Sequence, residues 1–253
     1  MNAFFDLDDA VALVTGGNGG IGRGIALGLA SAGAHVVVAA RDEAKTRAVT
    51  TSIEALGRRG VGVRCDVLVR ADIDAAVRRC EEEFGRLDIL VNNAGIIDHA
   101  RPEATTEEAW DRVVDTNLKA VFLCAQAAYP LLKASRRGKV INIGSEYSLF
   151  GGDRVLSYAA SKGGVIQLTK SLAVAWAPDH IQVNALIPGW ITTDLTAAVQ
   201  ADTSLYESIV ARTPEHRFGV PGEVAGAAIF LASHASDFVT GQAIAVDGGY
   251  SIA

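Results

Sequence analysis

Two side chains in the middle of the chain have the types and spacing needed for proton transfer. Tyr158 and Lys162 lie four residues apart in a segment with helical periodicity, so both would lie on one face of a helix. A free tyrosine has a pKa of ~10, and a nearby ammonium group stabilises the phenolate and lowers that pKa. We therefore predict that Tyr158 exchanges a proton with a carbonyl or alcohol group near neutral pH. Ser145 follows a predicted strand, where it could hydrogen-bond the same substrate oxygen.

The same tyrosine–lysine spacing occurs a second time, at Tyr129 and Lys133. This pair lies late in a long predicted helix, contains Pro130, and has no serine at the end of an upstream strand. We therefore interpret it as part of a helix face near the protein surface and not as catalytic.

A glycine-rich turn, Gly16–Gly22, joins the first predicted strand to the first predicted helix. Glycines let the backbone turn sharply and approach a ligand, and the free N–H groups at a helix start favour a pyrophosphate. A P-loop is excluded because Arg23 and Gly24 follow, and no Gly-Lys-Ser/Thr occurs. The strand–turn–helix context therefore predicts a pyrophosphate-binding turn.

Short β-branched segments alternate with longer helical segments along the chain. Segments such as VVVAA and KVINIG are apolar on both faces, which is typical of a parallel sheet covered by helices on both sides. This alternation predicts a doubly wound α/β fold with a seven-stranded parallel sheet flanked by helices. The predicted strands are Val11–Thr15, His35–Ala40, Val61–Cys65, Ile89–Asn92, Lys139–Ile143, Gln182–Leu186 and Ala243–Val246. The predicted helices are Ile21–Ala32, Glu43–Leu56, Ile73–Phe84, Glu107–Ala134, Tyr158–Trp176 and Glu223–Ala232.

The length of 253 residues and the absence of a linker-like segment favour a single domain over residues 1–253. From Pro188 to Pro221 no strand is recognisable. We expect a lid-like insertion there, at about residues 190–220.

Composition excludes several classes of function. The chain has 23 basic and 29 acidic residues, a net charge of −6, which argues against nucleic-acid binding. No apolar run approaches the ~18 residues of a membrane span, and the start MNAFFDLDD lacks the pattern of a secretory signal. Three dispersed cysteines and five scattered histidines predict neither a disulfide framework nor a metal site. We therefore expect a cytoplasmic protein, and the mean hydropathy of +0.24 suggests apolar surface that a partner subunit covers.

The glycine spacing, Thr-Gly-x-x-x-Gly-x-Gly, resembles that of the short-chain dehydrogenase/reductase family. Further motifs stand at family-like intervals over essentially the whole chain. They are Asn92–Gly95 after the fourth strand, Asn117, Ser145, Tyr158–Lys162, Pro188–Gly189 after the sixth strand and Asp247–Gly249 near the C-terminus. The resemblance implies a Rossmann fold and an NAD(P)-dependent oxidoreductase acting on CH–OH groups.

The resemblance also implies roles for individual residues. Asn117, Ser145, Tyr158 and Lys162 would be the catalytic set, with Asn117 in a proton relay and Lys162 also on the nicotinamide ribose. A buried asparagine that distorts its helix is an alternative role for Asn117, and both could hold. Asp66 would contact adenine, although a turn or N-cap role is as good an interpretation. The expected dinucleotide-binding residues are Gly16, Asn18, Gly20, Ile21, Gly22, Arg41, Asp66, Val67, Asn93, Ala94, Gly95, Tyr158, Lys162, Pro188, Gly189, Ile191 and Thr193.

The end of the second strand indicates which dinucleotide binds. An NAD site needs a carboxylate about 20 residues past the glycines, but Ala40 occupies that place and Arg41 follows. An arginine there suits a 2′-phosphate. Asp42 either caps the next helix or reaches the ribose, and Gly19 replaces the basic residue often seen in NADP-preferring members. We expect NADP in preference to NAD.

The expected substrate-binding residues are Ser145, Glu146, Arg154, Tyr158 and Trp190. Glu146 directly follows the serine and suggests that the substrate carries hydroxyl groups, although a solvated loop charge is an open alternative. Arg154 could pair with a substrate carboxylate, but a solvated charge is the favoured interpretation. The segments 168–176 and 182–194 resemble the gluconate and deoxygluconate dehydrogenase branch.

We therefore expect an enzyme that interconverts a secondary alcohol and a ketone of a sugar acid or polyol. The alternatives are a 3-oxoacyl thioester reductase and a non-catalytic dinucleotide-binding regulatory protein. The intact set of four catalytic residues argues against the regulatory alternative. The family resemblance further implies a homotetramer, or a homodimer, and the expected partner is a small-molecule substrate.

Overall fold

The computed structural model describes residues 3–253 and contains one seven-stranded sheet in which every strand pair is parallel. The strand order is β3-β2-β1-β4-β5-β6-β7. The strands are β1 (Val11–Thr15), β2 (His35–Ala40), β3 (Gly60–Arg64), β4 (Ile89–Asn92), β5 (Lys139–Ile143), β6 (Gln182–Pro188) and β7 (Ala243–Val246). The predicted doubly wound fold is confirmed. From β1 the strand order runs outward to β3 on one side and from β4 to β7 on the other side, so the switch point lies between β1 and β4.

Nine α-helices connect and cover the strands in the described part of the chain. They are α1 (Gly20–Ser31), α2 (Glu43–Ala55), α3 (Arg70–Phe84), α4 (Glu107–Val114), α5 (Ala120–Ser135), α6 (Leu156–Trp176), α7 (Ala197–Ala201), α8 (Thr203–Arg212) and α9 (Pro221–Ala232). The helices α1, α2 and α9 bury apolar side chains against one face of the sheet, and α3, α5 and α6 cover the other face. Both faces of β1, β2, β4, β5 and β6 are therefore almost entirely buried, which explains their largely apolar character, whereas the edge strands β3 and β7 are partly exposed.

Most element boundaries agree with the sequence predictions to within a few residues, with one informative exception. The long helix predicted over 107–134 is interrupted by a π-helical turn at Asp115–Lys119, between α4 and α5. A π turn adds one residue to the helical repeat and redirects the side chains that follow. Here the turn carries Asn117, which is fully buried.

The segment expected to be a lid contains the short helices α7 and α8 and no strand. Tyr206 and Ile209 of α8 pack with Phe218 and with Tyr250 of the C-terminal segment. No helix among residues 3–253 has the length and apolar character needed to cross a membrane.

Glycines allow α1 and α9 to pack closely. A Cβ built on Gly24 would lie 2.6 Å from the carbonyl oxygen of Pro221, and one on Gly28 would lie 2.6 Å from the Cβ of Ala225. Both distances are shorter than a van der Waals contact, so the helix pair has no room for an added methyl group.

We predict that Gly28→Ala lowers the free energy of unfolding by about 1–2 kcal/mol, because the steric cost exceeds the ~1 kcal/mol gain in helix propensity. Gly226→Ala on α9 is the matched control, since a Cβ there meets open space. It should raise stability by up to ~1 kcal/mol. Denaturant unfolding of both variants tests this, and a stabilising Gly28→Ala would contradict the packing argument.

Candidate active site

All strands of a parallel sheet end at the same edge, so the segments that follow them converge there. The glycine turn (Gly16–Gly22) follows β1, Asn93 follows β4, and Ser145 follows β5. Together with the end of β6 they surround a cavity of about 530 Å³. This is the crevice at the switch point of the sheet, where open α/β folds bind their ligands.

The glycine turn has a backbone that only glycine fits well. Gly16 and Gly20 have φ values of +62° and +48°, in the left-handed region. A Cβ built on Gly22 would lie 2.3 Å from Nδ2 of Asn93. The N-terminus of α1 has no side-chain cap, so its N–H groups remain available at the cavity. These features fit the pyrophosphate of a dinucleotide.

Asn93 fastens the glycine turn to the loop after β4. Its Nδ2 donates to the carbonyl oxygens of Thr15 and Gly16, both at 3.1 Å. The Oγ1 of Thr15 in turn accepts hydrogen bonds from the backbone N–H groups of Asn93 and Ala94. These bonds hold the two sides of the crevice in one geometry, so the site is preorganised.

The region after β2 shows one of the two roles expected for Asp42, and its contact with the ribose stays a prediction. Its Oδ1 accepts a hydrogen bond of 2.9 Å from the backbone N–H of Lys45, so Asp42 is the N-cap of α2. Arg41 lies at the cavity, and no described residue pairs with its guanidinium group. Lys45 also lines the cavity and forms an exposed ion pair with Asp194 at 3.3 Å. The unpaired guanidinium group of Arg41 at this end fits a 2′-phosphate.

Ser145, Tyr158 and Lys162 lie on one wall of the same cavity. Lys162 is buried, and its Nζ donates a 2.7 Å hydrogen bond to the carbonyl oxygen of Ile143, the last residue of β5. The same Nζ lies 5.7 Å from the centre of the Tyr158 ring. Ser145 begins a short 3-10 turn and hydrogen-bonds the Tyr158 side chain. The sequence prediction that Ser145, Tyr158 and Lys162 lie close together is therefore confirmed.

The predicted direction of the Tyr158 pKa shift is wrong in this structure. Desolvation raises the pKa of Tyr158 above its ordinary value, and the charge of Glu146 raises it further, while only the hydrogen bond from Ser145 lowers it. Lys162 is not among the groups that shift the pKa of Tyr158, and burial lowers the pKa of its own ammonium group to about 8. The chemistry these groups can perform is proton exchange by a phenol that stays mostly protonated, which suits proton donation to a carbonyl.

Asn117 is held away from the cavity by three hydrogen bonds. Its Oδ1 accepts from the backbone N–H of Ile96 at 2.9 Å, and its Nδ2 donates to the Ile96 carbonyl oxygen and to Oγ of Ser161. The side chain thus ties the π-helical turn to the loop after β4 and to α6. This supports the helix-distorting role, and the proton-relay role stays a prediction.

The substrate end of the cavity is formed by Glu146, Tyr147 and Trp190. Glu146 is only 3% exposed, and burial together with the charge of Asp247 raises its pKa to about 8. Its Oε2 and the Nε1 of Trp190 are buried without a hydrogen-bond partner among the described residues. An unpaired acceptor and an unpaired donor at this end indicate a polar ligand.

The comparisons with known proteins agree with this geometry. A family model described as "Enoyl-(Acyl carrier protein) reductase" matches residues 16–251. The 2-dehydro-3-deoxy-D-gluconate 5-dehydrogenase of Dickeya dadantii is 42% identical over 247 residues, which are 97% of each chain. This chain belongs to the short-chain dehydrogenase/reductase family.

Two further relatives represent different branches of this family. The 3-oxoacyl-[acyl-carrier-protein] reductase of Staphylococcus aureus is 41% identical over 94% of this chain and 96% of its own. The crystal structure of a gluconate 5-dehydrogenase from Burkholderia cenocepacia, in complex with NADP and tartrate, is 41% identical. It superimposes with a TM-score of 0.95 over 99% of this chain and 98% of its own.

Most residues predicted from the sequence to form the site do line the cavity. They are Gly16, Asn18, Gly20, Ile21, Gly22, Arg41, Asn93, Ala94, Gly95, Ser145, Glu146, Tyr158, Lys162, Pro188, Gly189, Trp190, Ile191 and Thr193. Asp66, Val67, Arg154 and Asn117 are not among its lining residues. Arg154 is exposed on a loop, and its backbone carbonyl oxygen accepts a hydrogen bond from the backbone N–H of Ala100. Asp66 accepts from the backbone N–H of Leu68, which is a turn role, and its adenine contact stays a prediction.

Sequence reasoning missed several lining residues of this family member. Lys45, Ile97, Leu195 and Val199 also face the cavity. Lys45 could have been predicted from the sequence, because it follows Arg41 by four residues and lies at the start of a predicted helix, near the expected dinucleotide site. Leu195 and Val199 had none, because their position depends on how the segment after β6 folds back.

The rejected pair Tyr129 and Lys133 is engaged elsewhere. The Tyr129 hydroxyl donates to Oδ2 of Asp179 at 2.6 Å, and Lys133 forms an ion pair with the same carboxylate at 2.8 Å. Neither side chain lines the cavity, so this pair has a structural role.

We predict that Tyr158→Phe lowers kcat for dinucleotide-dependent turnover by about 100- to 10,000-fold, because the proton donor is lost. The dissociation constant for the dinucleotide should stay within about three-fold. Steady-state kinetics and fluorescence titration measure the two quantities. Tyr129→Phe is the matched control and should turn over at the wild-type rate. Near-normal turnover by Tyr158→Phe would refute the proton-donor role.

Proposed function

We propose that this protein is an NADP-dependent oxidoreductase that interconverts a secondary alcohol and a ketone of a sugar acid, as a gluconate-type dehydrogenase. The observation that carries the proposal is the placement of Ser145, Tyr158 and Lys162 in the same cavity as the glycine turn. A nicotinamide dinucleotide supplies or accepts the hydride when it is bound. The chain then has to bind it, orient the substrate and exchange one proton.

Each residue of the cavity has a definable role in this proposal. The uncapped start of α1 and the glycine turn hold the pyrophosphate, and Asn93–Gly95 and Pro188–Gly189 line the remaining length of the site. Ser145 orients the substrate oxygen by a hydrogen bond. Tyr158 donates its proton to the carbonyl oxygen in reduction, and its ionised form accepts the proton of the alcohol in oxidation. Lys162 keeps positive charge beside the reacting groups.

The sugar-acid assignment is supported by the relatives and by the polar atoms of the cavity. The Dickeya dadantii and Burkholderia cenocepacia proteins are named for deoxygluconate and gluconate chemistry. The unpaired Glu146 Oε2 and Trp190 Nε1 favour a substrate with hydroxyl groups. A 3-oxoacyl thioester reductase is the second candidate, because the Staphylococcus aureus relative is nearly as similar.

We also propose that the segment from residue 190 to residue 220 closes over the bound substrate, since Leu195 and Val199 line the cavity from it. A homotetramer is supported by exposed apolar residues, including Phe122, Val174 and Ile252, which a second copy would cover. The three cysteines are free and buried, which is consistent with a cytoplasmic location.

The function is tested by a panel of keto-aldonates, aldonates, polyols and acetoacetyl thioesters with both dinucleotides, followed by nicotinamide absorbance. We expect the highest kcat/KM for a keto-aldonate with NADPH. A higher kcat/KM for the acetoacetyl thioester would instead establish the second candidate, and no turnover with any substrate would refute an oxidoreductase of this class.

The dinucleotide preference has its own test. Arg41→Ala should lower kcat/KM for NADP by about 10- to 100-fold, the range for one lost charged hydrogen bond, and leave kcat/KM for NAD nearly unchanged. Arg47→Ala, at an exposed position on the adjacent helix α2, is the control and should change neither value. An equal loss with both dinucleotides would show that Arg41 does not contact the 2′-phosphate.

A further inference from the structure

We propose that Glu146 determines substrate specificity by binding a hydroxyl group of the substrate through its buried carboxyl group. This inference rests on the proposed function, because it concerns the substrate end of the same cavity. It adds the residue that recognises the hydroxyl groups of the substrate.

The first support is geometric. Glu146 directly follows Ser145 and lines the same cavity as Ser145, Tyr147 and Tyr158. It is 97% buried, since only 3% of its surface is exposed. No described residue donates a hydrogen bond to its Oε2. A buried acceptor without a partner is costly unless a ligand or water satisfies it.

A second unpaired atom supports the same conclusion. The indole Nε1 of Trp190 is a buried donor without a partner, and Trp190 lines the same cavity. A hydroxyl group both donates and accepts, so a polyhydroxy substrate can satisfy both types of atom. The hydrocarbon part of an acyl chain can satisfy neither. A site that offers buried polar groups discriminates strongly against analogues that lack the matching hydroxyl.

The surroundings of Glu146 favour its neutral form. Burial and the charge of Asp247 raise its pKa to about 8, and Arg212 opposes them. Arg212 is exposed and stacks on the Tyr250 ring at 4.2 Å, and Asp247 accepts bonds from the backbone N–H groups of Gly249 and Ser251. Neither of them forms a hydrogen bond with the Glu146 carboxyl. A neutral carboxyl can approach an anionic sugar acid without the repulsion that a carboxylate would cause.

The pH dependence follows from the sign of this shift. Glu146 is protonated below about pH 8 in the folded protein, whereas an ordinary glutamate is ionised from about pH 4.5. Between these values the folded state binds one more proton than the unfolded state, so the contribution of Glu146 to stability falls as pH rises from about 4.5 to 8. Tyr147, Tyr158 and Lys162 are the other titratable groups of this wall, and burial also lowers the pKa of Lys162 to about 8. A Glu146 variant is therefore needed to separate the two titrations.

The test compares Glu146→Gln, which stays neutral and keeps a donor and an acceptor, with Glu146→Leu, which has neither. Full-length wild type, both variants and the exposed control Glu54→Gln are assayed with NADPH on a keto-aldonate and on a short ketone without further hydroxyl groups. Glu146→Leu should raise KM for the keto-aldonate by about 10- to 100-fold and leave the short ketone within about three-fold. Glu146→Gln should keep the wild-type KM at pH 7, and it should lose the rise of KM that the wild type shows through about pH 8.

Two readouts are independent of catalysis. Infrared difference spectra should contain a protonated-carboxyl band that titrates with a pKa of about 8 in the wild type and in Glu54→Gln, but not in Glu146→Gln. The melting temperature of Glu146→Gln should exceed that of the wild type increasingly from pH 5 to pH 8. These measurements also show whether each variant folds.

The outcomes separate this inference from the proposed function. If the wild type reduces no keto-aldonate but turns over another ketone, the proposed substrate class is wrong. The infrared titration and the comparison of hydroxylated with unhydroxylated ketones then still decide the role of Glu146. An unchanged KM in Glu146→Leu, an equal loss in both variants, or a loss of kcat alone would overturn the proposal. The last result would mean that Glu146 only positions Ser145.

Discussion

The candidate site depends on one hydrogen bond made by a buried ammonium group. Lys162 is only 4% exposed, and its 2.7 Å bond to the Ile143 carbonyl oxygen fastens α6 to the end of β5. A buried cation needs such a partner, because desolvation otherwise disfavours its charge. Tyr158 lies one helical turn before Lys162, and Ser145 lies two residues after Ile143. The bond therefore helps to set the distance between Ser145 and Tyr158, the two residues proposed to contact the substrate oxygen.

The dinucleotide end of the cavity is built on a different principle, which is the absence of side chains. Glycines at 16, 20 and 22 let the backbone approach closely, and the amide of Asn93 uses the space left by Gly22. Rigidity in this region comes from hydrogen bonds between the loops after β1 and β4. A cradle built in this way is formed before a ligand arrives, so little ordering entropy is lost on binding.

The substrate end combines aromatic packing with uncompensated polar atoms. Trp190 and Phe150 pack around Tyr250, and α8 closes the cluster from outside through Ile209. Against this apolar background Glu146 is left without a hydrogen-bond partner on Oε2. A ligand or a water molecule can satisfy such an atom, so its cost in stability is consistent with a functional position.

The amino-acid sequence by itself determined the elements and the reactive residues. Apolar periodicity, the glycine turn and the Tyr158–Lys162 spacing are local features, and a parallel sheet brings strand ends together whatever the details. Only the tertiary structure decided that Asp42 caps α2, that Asn117 sits in a π-helical turn, that Arg154 lies outside the cavity, and that the pKa of Tyr158 rises. Each of these outcomes depends on burial or on contacts between residues distant in sequence. Desolvation depends on how the folded protein surrounds a side chain, so the spacing of residues along the sequence cannot predict its effect on a pKa.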